Sequence, residues 1–247
     1  MTATPTPTTD ERRAELTANL ARVRTRIADA CRAAGRDVSE VTMIAVTKTY
    51  PAADVLLLAG LGVREVGENR DQEAAPKAAE VAAAGAHPRW HFVGRLQRNK
   101  CRSVVGYADV VHSVDRVALA TALAGAARHR DRPLDVLVQV SIDGDPDRGG
   151  ALADDADPEH GLARVAAEVA RHDSLRLAGL MAVAPLGWEP DRAFARLAQL
   201  SARLRTEYPQ ATQVSAGMSG DLEAAIAHGA TQVRVGSALL GMRPTLR

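Results

Sequence analysis

The 247-residue chain is 46% hydrophobic and 25% charged, the balance of a globular protein with ample material for a core, which excludes disorder away from the ends. A formal net charge of +1 and 3% aromatic residues argue against nucleic acid and acidic membranes as partners, because the chain offers neither a basic field nor stacking rings. Cys31 and Cys101 stand far apart and outside any CxxC spacing, so no disulfide framework and no metal site is expected, and the thiols read as reduced, in the cytoplasm.

The N-terminal MTATPTPTTDERR lacks the apolar core of a signal peptide, and no later apolar run is long enough to span a bilayer. Residues 1–10 read as a flexible tail and 11–247 as one domain, since no Pro- or Gly-rich linker divides the chain. From Glu11 to Ala34, the residues Leu16, Leu20, Val23, Ile27 and Cys31 recur at helical spacing and stop at Gly35. Short β-rich runs then alternate with Ala- and Leu-rich helical segments. The runs are VTMIAVTK (41–48), REVGEN (64–69), WHFVG (90–94), DVVHSV (109–114), LDVLVQV (134–140), LRLAGLMAV (175–183), TQVSAGM (212–218) and TQVRVGSAL (231–239). Their spacing leaves room for a crossover helix between most neighbours. LQRNKCRSVVGY is the weakest helical segment. Eight such units predict an α/β fold, a closed (β/α)8 barrel behind an extra N-terminal helix; an open doubly wound sheet is the competing arrangement.

In a parallel barrel the active mouth is built from strand ends and the loops after them. Lys48 ends the first run, Glu68 and Asn69 the second, and Gly94 with Arg95 the third; Ser113 and Asp115 follow the fourth. Ser215, Gly217, Met218 and Ser219 close the seventh, and Arg234, Gly236 and Ser237 lie in the eighth. SAGMSGD and VRVGSA resemble a phosphate cradle, because Gly- and Ser-bearing turns that open a helix aim backbone N–H groups at an anion. A lysine amine facing such a cradle can condense with an aldehyde, and the combination points to pyridoxal phosphate. Each residue also has a plainer reading. Lys48 could be a solvated charge, Arg234 an ion-pair partner, Asn69 a helix cap and each glycine-serine pair a simple turn.

The stretches AVTKTYP, VGENRDQE, WHFVGRLQRNK, HSVDR, GLMAVAP, SAGMSGDLEAAIAHGAT and VRVGSALLG together resemble the pyridoxal phosphate homeostasis (YggS and PROSC) family, in order from about residue 41 to 241. The resemblance implies a barrel like the first domain of alanine racemase, without that enzyme's second domain. It implies pyridoxal 5'-phosphate as an internal aldimine on Lys48, with Arg234 facing the ring nitrogen and Ser219, Gly236 and Ser237 at the phosphate. Asn69, Met181 and Met218 are then pocket neighbours and Ser215 a second phosphate neighbour; His91 and Lys100 match motif positions without an assigned role. An arginine at the ring nitrogen opposes protonation there and weakens the ring as an electron sink.

The expected function is therefore a monomeric carrier or regulator of pyridoxal phosphate in vitamin B6 homeostasis, with no catalytic residues and with apo-enzymes as candidate recipients. A racemase of alanine racemase type is the alternative, and a barrel enzyme for another phosphorylated metabolite is the third reading. The tail LLGMRPTLR and the loop DGDPDRGG depart from the family pattern. Asp143, Asp145 and Asp147 alternate in that loop as in a calcium site, but Arg148 stands where the motif needs glycine and Asp154 where it needs a bidentate glutamate.

Overall fold

The computed structural model describes residues 8–145, 148–154 and 156–241. Eight parallel strands close into a barrel in sequence order: β1 (Thr42–Val46), β2 (Glu65–Glu68), β3 (Arg89–Phe92), β4 (Val110–Val114), β5 (Leu134–Gln139), β6 (Leu175–Met181), β7 (Gln213–Ser215) and β8 (Gln232–Val235). Closure is made by β8 against β1, where Ile44 pairs with Arg234 and Ala45 with Val235. Seven helices follow the strands in turn: α2 (Ala52–Gly60), α3 (Asp71–Ala83), α4 (Cys101–Tyr107), α5 (Val117–Ala127), α6 (Leu162–Ala170), α7 (Pro190–Glu207) and α8 (Leu222–Ala227). A single turn, α9 (Ser237–Leu240), ends the described chain.

The open-sheet alternative is thereby excluded. The eighth run is shorter than its β-branched start suggests, because the chain turns at Gly236 and the helix-forming Ser-Ala-Leu-Leu makes α9 instead. The weak helical segment divides into a 3-10 turn, Arg98–Lys100, followed by the short α4.

The N-terminal helix α1 (Thr9–Ala33) starts inside the stretch expected to be a tail. Thr8 and Glu11 form a reciprocal capping box that satisfies the first free amides; residues 1–7 lie outside the described residues, as do 242–247 of the divergent tail and Pro146 and Asp147 of the DGDPDRGG loop. Leu16, Leu20, Val23 and Ile27 bury one face of α1 against Leu222, Ile226, Leu239 and Leu240 of α8 and α9, each worth roughly 1.5–3 kcal/mol. Polar ties finish the seam: the Asn19 amide donates to Leu239 O at 2.8 Å, and Arg26 donates to Ser219 O at 2.8 Å. This extra helix thus fixes the two loops that follow β7 and β8.

Between the strands and the outer helices lies the main apolar core, while Val110, Leu137, Ala178 and Met181 form a separate small cluster. Polar residues are buried too. His91 of β3 and His112 of β4 share a proton across 2.8 Å, and the other nitrogen of His91 meets Glu65 of β2. Burial first, then the charges of His91, Arg234 and Arg89, hold the His112 pKa well below the ordinary 6.5. The native state therefore keeps His112 neutral while the unfolded chain protonates it below about pH 6.5, so this contribution is intact above that pH and lost as pH falls. Urea melts between pH 8 and 5 should show wild type losing up to about 1.4 kcal/mol per pH unit below pH 6.5 from this group. His112→Gln should lack that share of the slope, and equal slopes would refute the assignment.

Candidate functional site

β1 delivers Val46 to the barrel mouth, and the chain then turns sharply, with Tyr50 N donating to Thr47 O at 3.1 Å. Lys48 is the second residue of that turn, and Thr49, the third, has φ of 70°. Glycine normally occupies such a position; a β-branched residue there costs on the order of 1–3 kcal/mol and persists only where the surroundings enforce it. Among the described residues Thr49 is the one non-glycine with positive φ. Lys48 is half-buried. The whole chain has three lysines, Lys48, Lys77 and Lys100, and only Lys48 lines the cavity above the barrel.

That cavity has a volume of about 590 Å³, within the range of small-molecule sites. Its wall brings together Lys48, Asn69, Met181, Met218, Ser219, Arg234, Gly236 and Ser237, eight of the nine expected residues, drawn from the ends of five strands. Met218 stands at the rim, 40% exposed, whereas Met181 is buried. Asn69 Oδ1 is buried without a hydrogen-bond partner among the described residues. Gly94 packs on the backbone of Asn69 so closely that a Cβ would lie 2.0 Å from the Asn69 carbonyl oxygen.

Ser215 is the exception. It is fully buried behind the wall, and its hydroxyl and carbonyl both accept from Arg234 Nη1, at 2.7 and 2.8 Å. Arg234 Nη2 donates to Ala182 O at 2.9 Å. These bonds tie Ser215 to the guanidinium, outside the cavity lining. No carboxylate pairs directly with the arginine among the described residues: three neutral acceptors hold it, and burial, only partly opposed by the charge of Asp221, pushes its pKa down to about 10, so it stays cationic at neutral pH. Of its five N–H groups at least two have no acceptor among the described residues.

On the wall of the same cavity, the loops after β7 and β8 present free donors. The Gly217–Asp221 turn is fixed by Met218 N donating to Asp221 Oδ1 at 2.6 Å and by Asp221 N donating to Met218 O. The backbone N–H groups of Ser219, Gly220, Ser237 and Ala238 find no acceptor among the described residues, and neither serine hydroxyl does. Convergent amides of this kind form an anion seat. Gly217 needs its glycine, with φ of 85° and Ala225 Cβ only 2.6 Å from any added Cβ. Gly236, on the cavity wall, does not: an added Cβ would meet Val46 O at 3.5 Å, an ordinary contact.

A wider cleft of about 1400 Å³ adjoins at Asn69 and contains Arg70, Arg95, Arg98, Lys100 and Arg116. It is solvent-open, and most of its cations face carboxylates: Arg70 on Glu73, Lys100 3.8 Å from Asp71, Arg116 on Asp115. The smaller cavity has the nucleophile and the anion seat. His91, in the barrel interior, and Lys100, in the cleft, are both outside it. In the calcium-like loop, Asp143 accepts from Ser141 and pairs with Arg148 at 3.2 Å, the interactions of a structural turn.

An amine, a seat for a phosphate and a buried cation in one cavity suit a small phosphorylated aldehyde. The family model for the alanine racemase N-terminal domain matches residues 14–244. A relative from Mycobacterium tuberculosis, named pyridoxal phosphate homeostasis protein, is 48% identical over 94% of this chain and 95% of its own length. The chain belongs to this family. The family member PipY of Synechococcus elongatus, solved with PLP bound, superposes with a TM-score of 0.75 at 35% identity, covering 92% of this chain and all of PipY. Alanine racemase from Corynebacterium glutamicum shares the fold, with a TM-score of 0.64 at 15% identity over 95% of this chain and 64% of the racemase. Among the described residues no helix is long and apolar enough to cross a membrane.

Sequence reasoning placed Glu68 at the mouth, whereas its carboxylate is buried against Lys77 and Thr47; it missed Lys77 and Arg26, which bear on the site from behind it. Neither carries a short-range signal: Lys77 reads as one more charge on an Ala-rich helix.

Proposed function

We propose that this protein holds pyridoxal 5'-phosphate in the cavity over the barrel, covalently through Lys48, and serves vitamin B6 homeostasis in the cytoplasm as a carrier or regulator without robust catalysis. The observation that carries the reading is that the one cavity lysine shares its cavity with the unpartnered amides of Ser219, Gly220 and Ser237 and two serine hydroxyls. Ser219, Gly236 and Ser237 seat the phosphate, Arg234 donates toward the ring nitrogen, and Asn69 and Met181 flank the ring. When bound, the group supplies an aldehyde for the lysine and a ring that can draw electrons.

The binding role is favoured over racemisation by two features. Arg234 is positively charged where ring protonation would be needed for a strong electron sink. Tyr50, the tyrosine on the cavity wall, donates its hydroxyl to Gly241 O at 2.8 Å and is not poised as a second acid or base. A monomer that exchanges its cargo with apo-enzymes follows from the same reading.

The test is to load the protein, reduce with borohydride and map the adduct. With only three lysines in the chain, the assignment is sharp: the stable mass increment should fall on the peptide containing Lys48 and vanish in Lys48→Ala. An adduct on Lys77 or Lys100, or none, would remove the cofactor assignment.

A further inference from the structure

The turn that carries Lys48 is gripped from behind by charges that do not reach the cavity. Lys77, on the second turn of α3, is buried, as are Glu68 at the end of β2 and Thr47 at the end of β1. Lys77 Nζ donates to Glu68 Oε1 at 2.5 Å and to Thr47 O at 2.9 Å, and Thr47 Oγ1 donates to the same carboxylate oxygen at 2.7 Å. Thr47 O is also the acceptor that closes the turn from Tyr50 N. One ammonium and one carboxylate thereby fix the residue before Lys48 and, through Glu68, the residue before Asn69. Glu68 O further accepts from Val93 N at 2.8 Å, next to Gly94.

A pair built for stability would satisfy all its atoms. Here Glu68 Oε2 is buried with no partner among the described residues, and well-packed apolar side chains often replace a buried ion pair at no loss. What the pair does supply is direction, at a turn whose third residue, Thr49, sits at φ of 70° and needs outside enforcement to stay there.

We propose that the buried Lys77–Glu68 pair is a positioning brace for Lys48, holding the 47–50 turn in the conformation that presents the amine to the cavity. The inference rests on Lys48 being the covalent anchor, and it assigns the control of that anchor to two residues that touch neither the cavity nor the ligand. Without the brace Thr49 relaxes, the amine samples other directions, and the phosphate seat, which the brace does not touch, is unchanged.

The test uses the full chain with Lys77→Met and Glu68→Leu together, so that neither charge is left buried alone. Glu68→Gln, which keeps the shape, is the second variant should the double one not fold. Two quantities are measured: the fraction of Lys48 carrying a borohydride-fixed adduct at a limiting concentration of pyridoxal phosphate, and the affinity of the unloaded protein for inorganic phosphate. The expected result is a folded variant with unchanged phosphate affinity and Lys48 loading reduced about tenfold, equivalent to about 1.4 kcal/mol. Glu68→Gln should move in the same direction by less. Wild-type loading in either folded variant overturns the brace, and so does a parallel fall in phosphate affinity, which marks general loosening. If wild type itself places no adduct on Lys48, the cofactor reading fails and the brace falls with it.

Discussion

Gly94→Ala is expected to destabilise the protein by about 3 kcal/mol and to weaken cofactor retention at least tenfold. A Cβ at this position would lie 2.0 Å from Asn69 O, 2.6 Å from its Cα and 2.7 Å from its carbonyl carbon. All three are backbone atoms, so no side chain can swing away, and either the loop after β3 or the end of β2 must move. Overpacking of this kind costs about 1–3 kcal/mol and sometimes more, and the upper end applies because residue 68 beside it is tied on two sides, to Lys77 and to Val93 N. The displaced residue is Asn69, on the cavity wall, so stability and retention should fall together. Urea denaturation and dialysis of the loaded protein measure the two effects. Gly125→Ala is the control of opposite sign: outside its own helix turn nothing lies within 4 Å of its added Cβ, in the last turn of α5, and removing a helical glycine should stabilise by up to about 0.5–1 kcal/mol. A Gly94→Ala protein as stable as wild type would mean that the two strand ends are not packed as described.

The contrast between these glycines shows what a sequence can convey. Eight strands were legible because a buried parallel strand is a short β-branched run, and a crossover helix has its own 3.6-residue period. Once the barrel is inferred, its topology gathers every strand end at one mouth, so Lys48, Asn69, Met181, Ser219 and Arg234 can be grouped although they lie far apart in the chain. Packing behind the mouth has no such rule. Gly94 presses on a residue 25 positions earlier, Arg26 reaches Ser219 from the first helix, and Lys77 folds back under Thr47. Ser215 illustrates the same limit: its place at the end of β7 is visible in the sequence, but the direction of its hydroxyl depends on Arg234 in the neighbouring strand.

Arg234→Gln should leave the stability of the unloaded protein within about 1 kcal/mol of wild type while lowering retention of the cofactor at least tenfold and raising amino-acid turnover by the loaded protein. Two costs of opposite sign set the first expectation. The guanidinium is buried with no carboxylate in direct contact, and burial pushes its pKa down to about 10 against the weaker pull of Asp221, so the fold carries a charge that is only partly compensated. Replacing it relieves a penalty of about 3 kcal/mol on the scale of 1.4 kcal/mol per pKa unit. Against this, Ala182 O and the Ser215 oxygens lose a charged donor, at about 1–3 kcal/mol for each acceptor left bare, and glutamine's amide can still serve part of that set. The two nearly cancel, which is the pattern of a group retained for its ligand. The turnover expectation follows from charge alone: a neutral amide no longer opposes protonation of a ring nitrogen in front of it, and the ring becomes a stronger electron sink. Melting curves of the unloaded protein and alanine racemisation assays of the loaded protein decide the matter. If stability falls by several kcal/mol while retention and turnover stay at wild-type levels, Arg234 is a tie between β6, β7 and β8 and its assignment to the ligand is wrong.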